Sequence, residues 1–318
     1  SMFPVLAGLL SMLSIDPLSE EQPLTGLTMS DLCWGWSPTL LDFFAGLTRN
    51  AFSARPDTLP ASGFVAFIRF YTLLRRDAWA FSYFPSGGQD MVEPMARVLT
   101  ERGGRVILGA RVTQVSRQPG SEAWRVTWRQ NGASQSSQAR RVILATDAPS
   151  TEALLRASPD TAERAAALRL PSGHATAIVR LWFDRQPRPA RAEAGILTGD
   201  MTLDNFFWLH RIYDDYVRWS RATGGSALEA HIYGPPELLA KPDTLLLASA
   251  IVDVSRAWPE LKNRVIHSTL TRNDPTHTLL HVGRSEEHLA IETPWPDLYC
   301  CGDWVRDRTP SLFLERAC

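Results

Sequence analysis

Two short stretches near the end of the chain combine residue types suited to holding a ligand. The first reads Leu298-Tyr299-Cys300-Cys301-Gly302-Asp303-Trp304-Val305, the second Pro310-Ser311-Leu312-Phe313-Leu314-Glu315-Arg316-Ala317. A strand that ends in glycine lets its backbone approach a ligand closely, because no Cβ intervenes. An aspartate just beyond it can accept hydrogen bonds from sugar-like hydroxyls. A proline suits the first turn of a helix, and a helix opening at Pro310 would point free N–H groups at a partly negative acceptor. Alone, Gly-Asp after a strand suits many ligands. Joined to the Pro-Ser helix start, it suits one with hydroxyls on one side and an electron-rich edge on the other. A flavin has both, in its ribityl chain and its N1/O2 edge. Trp304 directly follows Gly302-Asp303 and is expected beside such a ligand.

Other candidates carry less chemistry. The histidines are His174, His210, His231, His267, His277, His281 and His288, and none stands in HExxH or another metal spacing. His277 and His281 are four apart in a strand-like segment, so they would not share a helical face. His174, at the start of an apolar strand, is the best general-acid candidate. No serine sits in GxSxG and no carboxylate pair stands out. Trp34, Trp36, Trp208, Trp219 and Trp295 suit core or interface positions. Catalytic residues therefore stay unassigned.

The elements that must position these groups are readable from periodicity. Residues 1–85 read as mostly helical, with aromatic faces at 40–47 and 64–74 that suit either helix packing or a lipophilic channel. In the apolar stretch 3–15, Phe3, Leu6, Leu9, Leu10 and Leu13 recur at helical spacing. It is shorter than the roughly 20 residues needed to cross a bilayer. A Gly87-Gly88 turn leads to Asp90 as N-cap and to a helix whose one face carries Met91, Val92, Met95, Ala96 and Leu99. That helix ends at Gly103-Gly104. Strands are expected over 105–115, 123–129 and 141–145, with a polar loop over 130–138. A helix over 151–168 follows, then strands over 175–183 and 226–233 and a helix over 244–258. Strand-like runs cover 277–282 and 297–301. Residues 204–221 are aromatic and partly helical.

These stretches together carry a resemblance. Tyr83-Phe84-Pro85-Ser86-Gly87-Gly88 through Val112, then residues 142–149, then 302–317, resemble FAD-dependent carotenoid and squalene enzymes. Phytoene desaturases, carotene isomerases and hydroxysqualene dehydroxylases are of this kind, and all belong to the broader flavin amine-oxidase superfamily. The likeness extends more softly over nearly the whole chain. It implies an α/β fold, with a partial FAD/NAD(P)-binding Rossmann-type domain plus a substrate domain of mixed β-sheet and helices. The implied organisation is a helical substrate or cap region over 1–85, part of the FAD domain over 86–150, a substrate domain over 151–296 and a C-terminal FAD segment over 297–318. The resemblance sets the Val112 backbone against adenine and passes Ala145-Thr146 by the cofactor. It gives Asp303, beside Gly302 and Trp304, a ribityl or pyrophosphate contact, and it makes Pro310-Ser311-Leu312 the flavin-edge turn. FAD is the implied cofactor. Hydride transfer from a lipophilic isoprenoid or polyene to the flavin is the implied activity.

The chain also departs from that pattern. No GxGxxG follows a strand, and no acidic residue stands about 20 positions beyond one to hold a ribose. The sequence therefore reads as a fragment lacking the N-terminal half. Two other readings stay open: an amine oxidase, and a cofactor-free domain that binds a hydrophobic ligand or a membrane surface.

Bulk properties agree with a globular enzyme. The 318 residues are 44% hydrophobic and 21% charged, and a net charge of −1 argues against nucleic acid as partner. Cys33, Cys300, Cys301 and Cys318 form no CxxC pair, which suits a reducing cytoplasm. The expected partner is a lipophilic small molecule. Peripheral contact with the inner membrane face and self-association through exposed sheet edges are the further expectations.

Overall fold

Alternation along the strand at residues 173–183 shows how the larger part of the protein is built. In the computed structural model, which describes residues 8–76, 82–188, 192–278 and 288–317, that strand is buried on one face only. Ala177, Val179, Leu181 and Phe183 point one way into a core, while Ile178 and Arg180 point the other way.

The chain begins with helices. Helix α1 (Pro38–Phe52) has Pro at its first turn and ends at Ser53 in the left-handed region, at φ 54°. Helix α2 (Ala61–Phe67) is buried at every position and runs on as a π turn over Ile68–Leu73. Phe44, Phe52, Phe64 and Phe67 form edge-on aromatic contacts in the core of this region. Residues 8–11 are helical, but Phe3 and Leu6 lie outside the described residues.

Helix α3 (Gln89–Glu101) forms where expected, although its N-cap is Gly88. Asp90 instead accepts a hydrogen bond from the Ser86 N–H at 2.9 Å, holding the turn before the helix. Its apolar stripe is not covered: α3 has no buried residue and Met95 is 64% exposed. The strand expected from Arg105 begins only at Arg111, because Gly109 turns the chain at φ 66° and Leu108 faces outward.

Strands β1 (Arg111–Arg117), β2 (Trp124–Gln130) and β3 (Ala133–Ala139) form an antiparallel meander. The expected polar loop at 130–138 is thus corrected to a strand. Asn131 and Gly132, at φ 51° and 79°, make the two-residue hairpin turn that pairs Gln130 with Ala133. The polar side chains of β3 face solvent on both sides, so no apolar alternation marked it.

Strand β4 (Val142–Leu144) leads into helix α4 (Ala148–Ala157), which Asp147 caps by accepting from Ser150 N–H at 2.8 Å. Strand β5 (Gly173–Phe183) is an interior strand of a five-stranded sheet with β6 (Ala194–Ile196), β7 (Asn205–Trp208), β8 (Ser226–Ile232) and β9 (Val265–Thr278). Their order is β6-β7-β8-β5-β9, and every pair is antiparallel. Helix α5 (Asp214–Thr223) precedes β8, and α6 (Asp243–Ala257) lays Leu246, Ala250 and Val254 on the core face of the sheet. Strand β9 starts twelve residues before the expected 277, and the remainder of the expected strand, with His281, lies outside the described residues. Strand β10 (Leu298–Cys300) pairs with β4 in parallel, Tyr299 opposite Ile143. Strand β4 has an open outer edge among the described residues, whereas the outer side of β10 is lined by residues 291–292, the Cys300 N–H donating to the Ile291 carbonyl at 3.0 Å and Glu292 bridging Tyr299. The last helix, α7 (Leu314–Ala317), is short.

Candidate functional site

The parallel β4–β10 pair delivers two loops to the same side, at the carboxyl ends of its strands, where open α/β sheets bind ligands. The Cys301 N–H donates to the Leu144 carbonyl at 3.0 Å, so the pairing continues to the mouth of both loops. From there Trp304 reaches back and donates its indole N–H to the Thr146 carbonyl at 3.0 Å. Gly302 sits between at φ 145°, and a Cβ there would come within 2.8 Å of Trp304 Nε1. Only glycine allows the strand end and the indole to close up this way.

Beyond these loops lies a cavity of about 720 Å³ lined by Asp303, Trp304 and Asp147, with Ser53, Thr176, Ile178, His231, Tyr233 and Arg272 on other walls. This is the size range of small-molecule sites. The far wall is the face of the five-stranded sheet opposite its core. Ile178 pairs with His231 and Arg180 with Glu229 across β5 and β8, and Asn205 of β7 stands opposite His231. Period-two geometry therefore gathers these groups on one surface. A second cavity, of about 700 Å³, lies on the same face and is lined by Tyr83, Phe207, Leu209, Ile212 and Tyr213 with Glu229 and His231. His231 borders both.

This wall is a connected polar network. The Tyr233 hydroxyl lies 2.6 Å from His231 Nδ1 and accepts from Asn205 Nδ2 at 3.0 Å. His231 Nε2 lies 3.1 Å from Glu229 Oε1, and Arg180 donates to Glu229 Oε2 at 2.6 Å. The end of α1 ties in as well: Asn205 donates to Asn50 at 2.8 Å, and Arg49 pairs with Asp204 at 3.1 Å. Burial pushes the Glu229 carboxyl up, but hydrogen bonds from His231 and Arg180 outweigh it and hold the group below its ordinary 4.5. Burial raises Asp204 against the pull of the Tyr233 N–H and Arg49, and burial raises the Tyr233 phenol.

Because Glu229 is depressed in the folded state, its ionised form contributes stability above the unfolded value, and that contribution is lost as pH falls from about 4.5 through the folded value. The expected result is a melting temperature that drops more steeply on acidification below that point in the wild type than in Glu229→Gln. Parallel slopes in thermal scans across this range would contradict it.

The sequence-predicted residues separate. Asp303 and Trp304 line the cavity, Gly302 backs them, Thr146 holds Trp304 and Ala145 joins Thr146 to β4. Val112 sits on β1 opposite Trp128 and is not among the cavity residues. Pro310 is exposed in a loop and opens no helix; α7 begins only at Leu314, after Phe313 at φ 58°. The reason is Arg316, whose guanidinium gathers the carbonyls of Val305, Asp307 and Thr309 and holds residues 305–309 as a loop. Ser311 and Leu312 are buried, Leu312 in the helical core with its N–H 3.2 Å from the Tyr71 hydroxyl. His174 lines neither cavity; its Nε2 lies 3.2 Å from the Tyr233 carbonyl. Cys33 and Cys300 are buried thiols pushed up to about 12 by desolvation, which suits packing and not reactivity.

Glu229, His231, Tyr233 and Asn205 were not singled out by sequence. Their signal was present: Glu229, His231 and Tyr233 alternate with Ala230 and Ile232, a polar face on an otherwise apolar strand.

Comparisons with known proteins bear on the family and the fold. Residues 38–318 match a family described as flavin containing amine oxidoreductase. The chain is 25% identical to a carotenoid phi-ring synthase of Chlorobaculum tepidum over 138 residues, 43% of this chain and 21% of that protein. It is 29% identical to a carotenoid phi-ring synthase of Streptomyces griseus over 182 residues, 55% of this chain and 34% of that protein. The matches thus span about a fifth to a third of the curated relatives. Among solved structures, cyclohexylamine oxidase from Brevibacterium oxydans superposes with a TM-score of 0.68 at 13% identity, over 99% of this chain and 72% of its own. An oxidoreductase from Methanosarcina mazei gives 0.65 at 16% identity, over 92% and 66%. At these identities the structures show a shared fold.

Proposed function

Since the chain belongs to the flavin containing amine oxidoreductases, we propose that it serves an FAD-dependent oxidoreductase acting on a lipophilic isoprenoid or polyene of the carotenoid kind. The reaction class is desaturation or a related isomerisation or dehydroxylation. The observation that carries this reading is the juxtaposition of Asp303 and Trp304 at the carboxyl ends of β4 and β10 with a cavity of about 720 Å³. The two carotenoid phi-ring synthases among the relatives support the substrate class.

The residues present fit a flavin. Asp303 offers carboxylate acceptors for hydroxyls, and the bare Cα of Gly302 lets the strand end and the Trp304 indole close together behind that carboxylate. Bound there, FAD would supply a two-electron hydride acceptor. Asp303 would bind it, Trp304 would shape the wall, and the Phe207, Leu209 and Ile212 surface of the second cavity would take apolar substrate and exclude water.

Amine oxidation is the second reading, favoured by Asp147, Asp274 and Asp303 on the first cavity, which suit an ammonium group. Anaerobic mixing of the flavin-loaded protein with β-carotene in detergent micelles, or with benzylamine, separates the two. Bleaching of the flavin by the carotenoid alone is the expected result. Bleaching by the amine alone, with peroxide under air, would replace the reading.

The reading also explains the bare stripe of α3 as a surface onto which further parts of a flavin domain pack. Left uncovered, Met95 and Leu108, 64% and 79% exposed, should drive self-association. Light scattering is expected to show oligomers that Met95→Glu with Leu108→Glu disperses; a wild-type monomer would count against it. Among the described residues no helix is long and apolar enough to cross a membrane. A lipophilic substrate would then be met by peripheral contact, proposed here at the inner membrane face.

A further inference from the structure

We propose that Tyr233, His231 and Glu229 form a proton relay, in which Tyr233 takes a proton from the ligand carbon and passes its own to His231. The proposal rests on the oxidoreductase reading above and names residues that the hydride step alone does not require.

The hydrogen bonds have one consistent sense. Asn205 Nδ2 donates to the Tyr233 oxygen at 3.0 Å, and the Asn205 amide cannot turn over because its Oδ1 accepts from the His231 backbone N–H at 3.1 Å. In the relay the Tyr233 hydroxyl hydrogen points at His231 Nδ1, 2.6 Å away, and not at Ser53. That leaves the ring proton on Nε2, facing Glu229 Oε1 at 3.1 Å. Glu229 is anchored at its other oxygen by Arg180 at 2.6 Å. Tyr233 is only 6% exposed, yet it borders the cavity of Asp303 and Trp304 together with Ser53. Ser53 also hydrogen-bonds the phenol, and its rotatable hydroxyl can yield that position to a ligand.

The step balances. When a carbon–carbon double bond forms, a bound flavin would be the oxidant, taking one hydrogen of the substrate with its electron pair. The neighbouring carbon loses a proton, and the electron pair of that second C–H bond becomes the π bond. The proton reaches the Tyr233 oxygen as the Tyr233 proton moves to His231 Nδ1. Tyr233 is neutral again, and His231 becomes an imidazolium beside the Glu229 carboxylate. Burial opposes that carboxylate, but the His231 and Arg180 hydrogen bonds hold it in its ionised form, so the relay ends on a ring nitrogen 3.1 Å from a carboxylate oxygen. His231 also borders the second cavity, which gives the proton a way out without returning through the ligand.

A buried network can also exist only to satisfy its own polar groups, so the test must separate the two roles. We would record ¹⁵N spectra of the histidine rings in the intact protein, assigned with His231→Gln, and repeat them in Tyr233→Phe and Glu229→Gln. A proton on Nε2, with an Nδ1 shift that responds to Tyr233→Phe, is expected; a proton on Nδ1, or no response, overturns the relay. In parallel, flavin bleaching by β-carotene would be timed in water and in deuterium oxide. Measured at saturating flavin, Tyr233→Phe and His231→Gln should slow it by about 100-fold or more and abolish a solvent isotope effect seen in the wild type. Wild-type rates in both variants would overturn the relay and leave the oxidoreductase reading standing. If the wild type binds no flavin, that reading fails by itself and the ring-nitrogen result still decides the relay's geometry.

Discussion

Trp208→Ala is expected to destabilise the protein by about 3–5 kcal/mol, the usual loss when a large aromatic is truncated in a core. Trp208 is fully buried between the sheet and the residues that follow α6, edge-on to Phe206 at 6.4 Å, Phe183 at 6.4 Å and Trp258 at 5.1 Å. It ends β7, the strand that also presents Asn205, so the cavity left behind adjoins the strand carrying the site. Such a loss is a large share of the roughly 5–15 kcal/mol that holds a domain folded. Trp208→Phe should cost clearly less, because it keeps one aromatic ring and leaves a smaller cavity. It also removes an indole N–H that has no partner among the described residues. Chemical denaturation of both variants checks the pair. A loss under about 1 kcal/mol in Trp208→Ala would mean that the indole is not a packing element.

Asp303→Ala is expected to weaken flavin binding by about 10- to 100-fold. A hydrogen bond to a charged group contributes about 1.5–3 kcal/mol, and each 1.4 kcal/mol is about tenfold in affinity. Asp303 lies on the wall of the larger cavity, just beyond the end of β10. Because the carboxylate also acts on Arg316, which holds residues 305–309, the loss in binding is read against the melting temperature. Asp303→Asn, which keeps one acceptor, should fall between the two. Flavin titration by fluorescence, with melting temperatures measured alongside, checks the set. Unchanged affinity in Asp303→Ala would remove this residue from the site.

Much of this architecture was legible because periodicity reports burial. The strands at 175–183 and 226–233 alternate apolar and polar residues, since each has one face on the α6 core and the other on the cavities. The run Val142-Ile143-Leu144 and the Leu298-Tyr299-Cys300 run were both recognisable, and the parallel pairing that sets Thr146 beside Trp304 follows from their proximity in space. What failed to show had physical reasons. Strand β3 is solvated on both faces, so Asn131-Gly132 was its only mark. Strand β9 carries Ser268, Thr269, Thr271, Arg272 and Asn273 along its length, because much of it faces solvent or the polar cavity. The Pro310 helix start was a sound local inference overridden at long range by Arg316 and by the burial of Leu312. The Tyr233–His231–Glu229 line spans a strand edge and gains meaning only when β7 and β5 bring Asn205 and Arg180 alongside.

The central claim, a flavin held against Asp303 and Trp304, is tested most directly by visible circular dichroism of the purified protein during titration with FAD. Free flavin has little signal there, whereas a flavin fixed in a chiral pocket gains one. The account predicts a saturable induced signal in the wild type that, at the FAD concentration half-saturating the wild type, is strongly reduced in Asp303→Ala. No induced signal, or the same signal in both proteins, would contradict it.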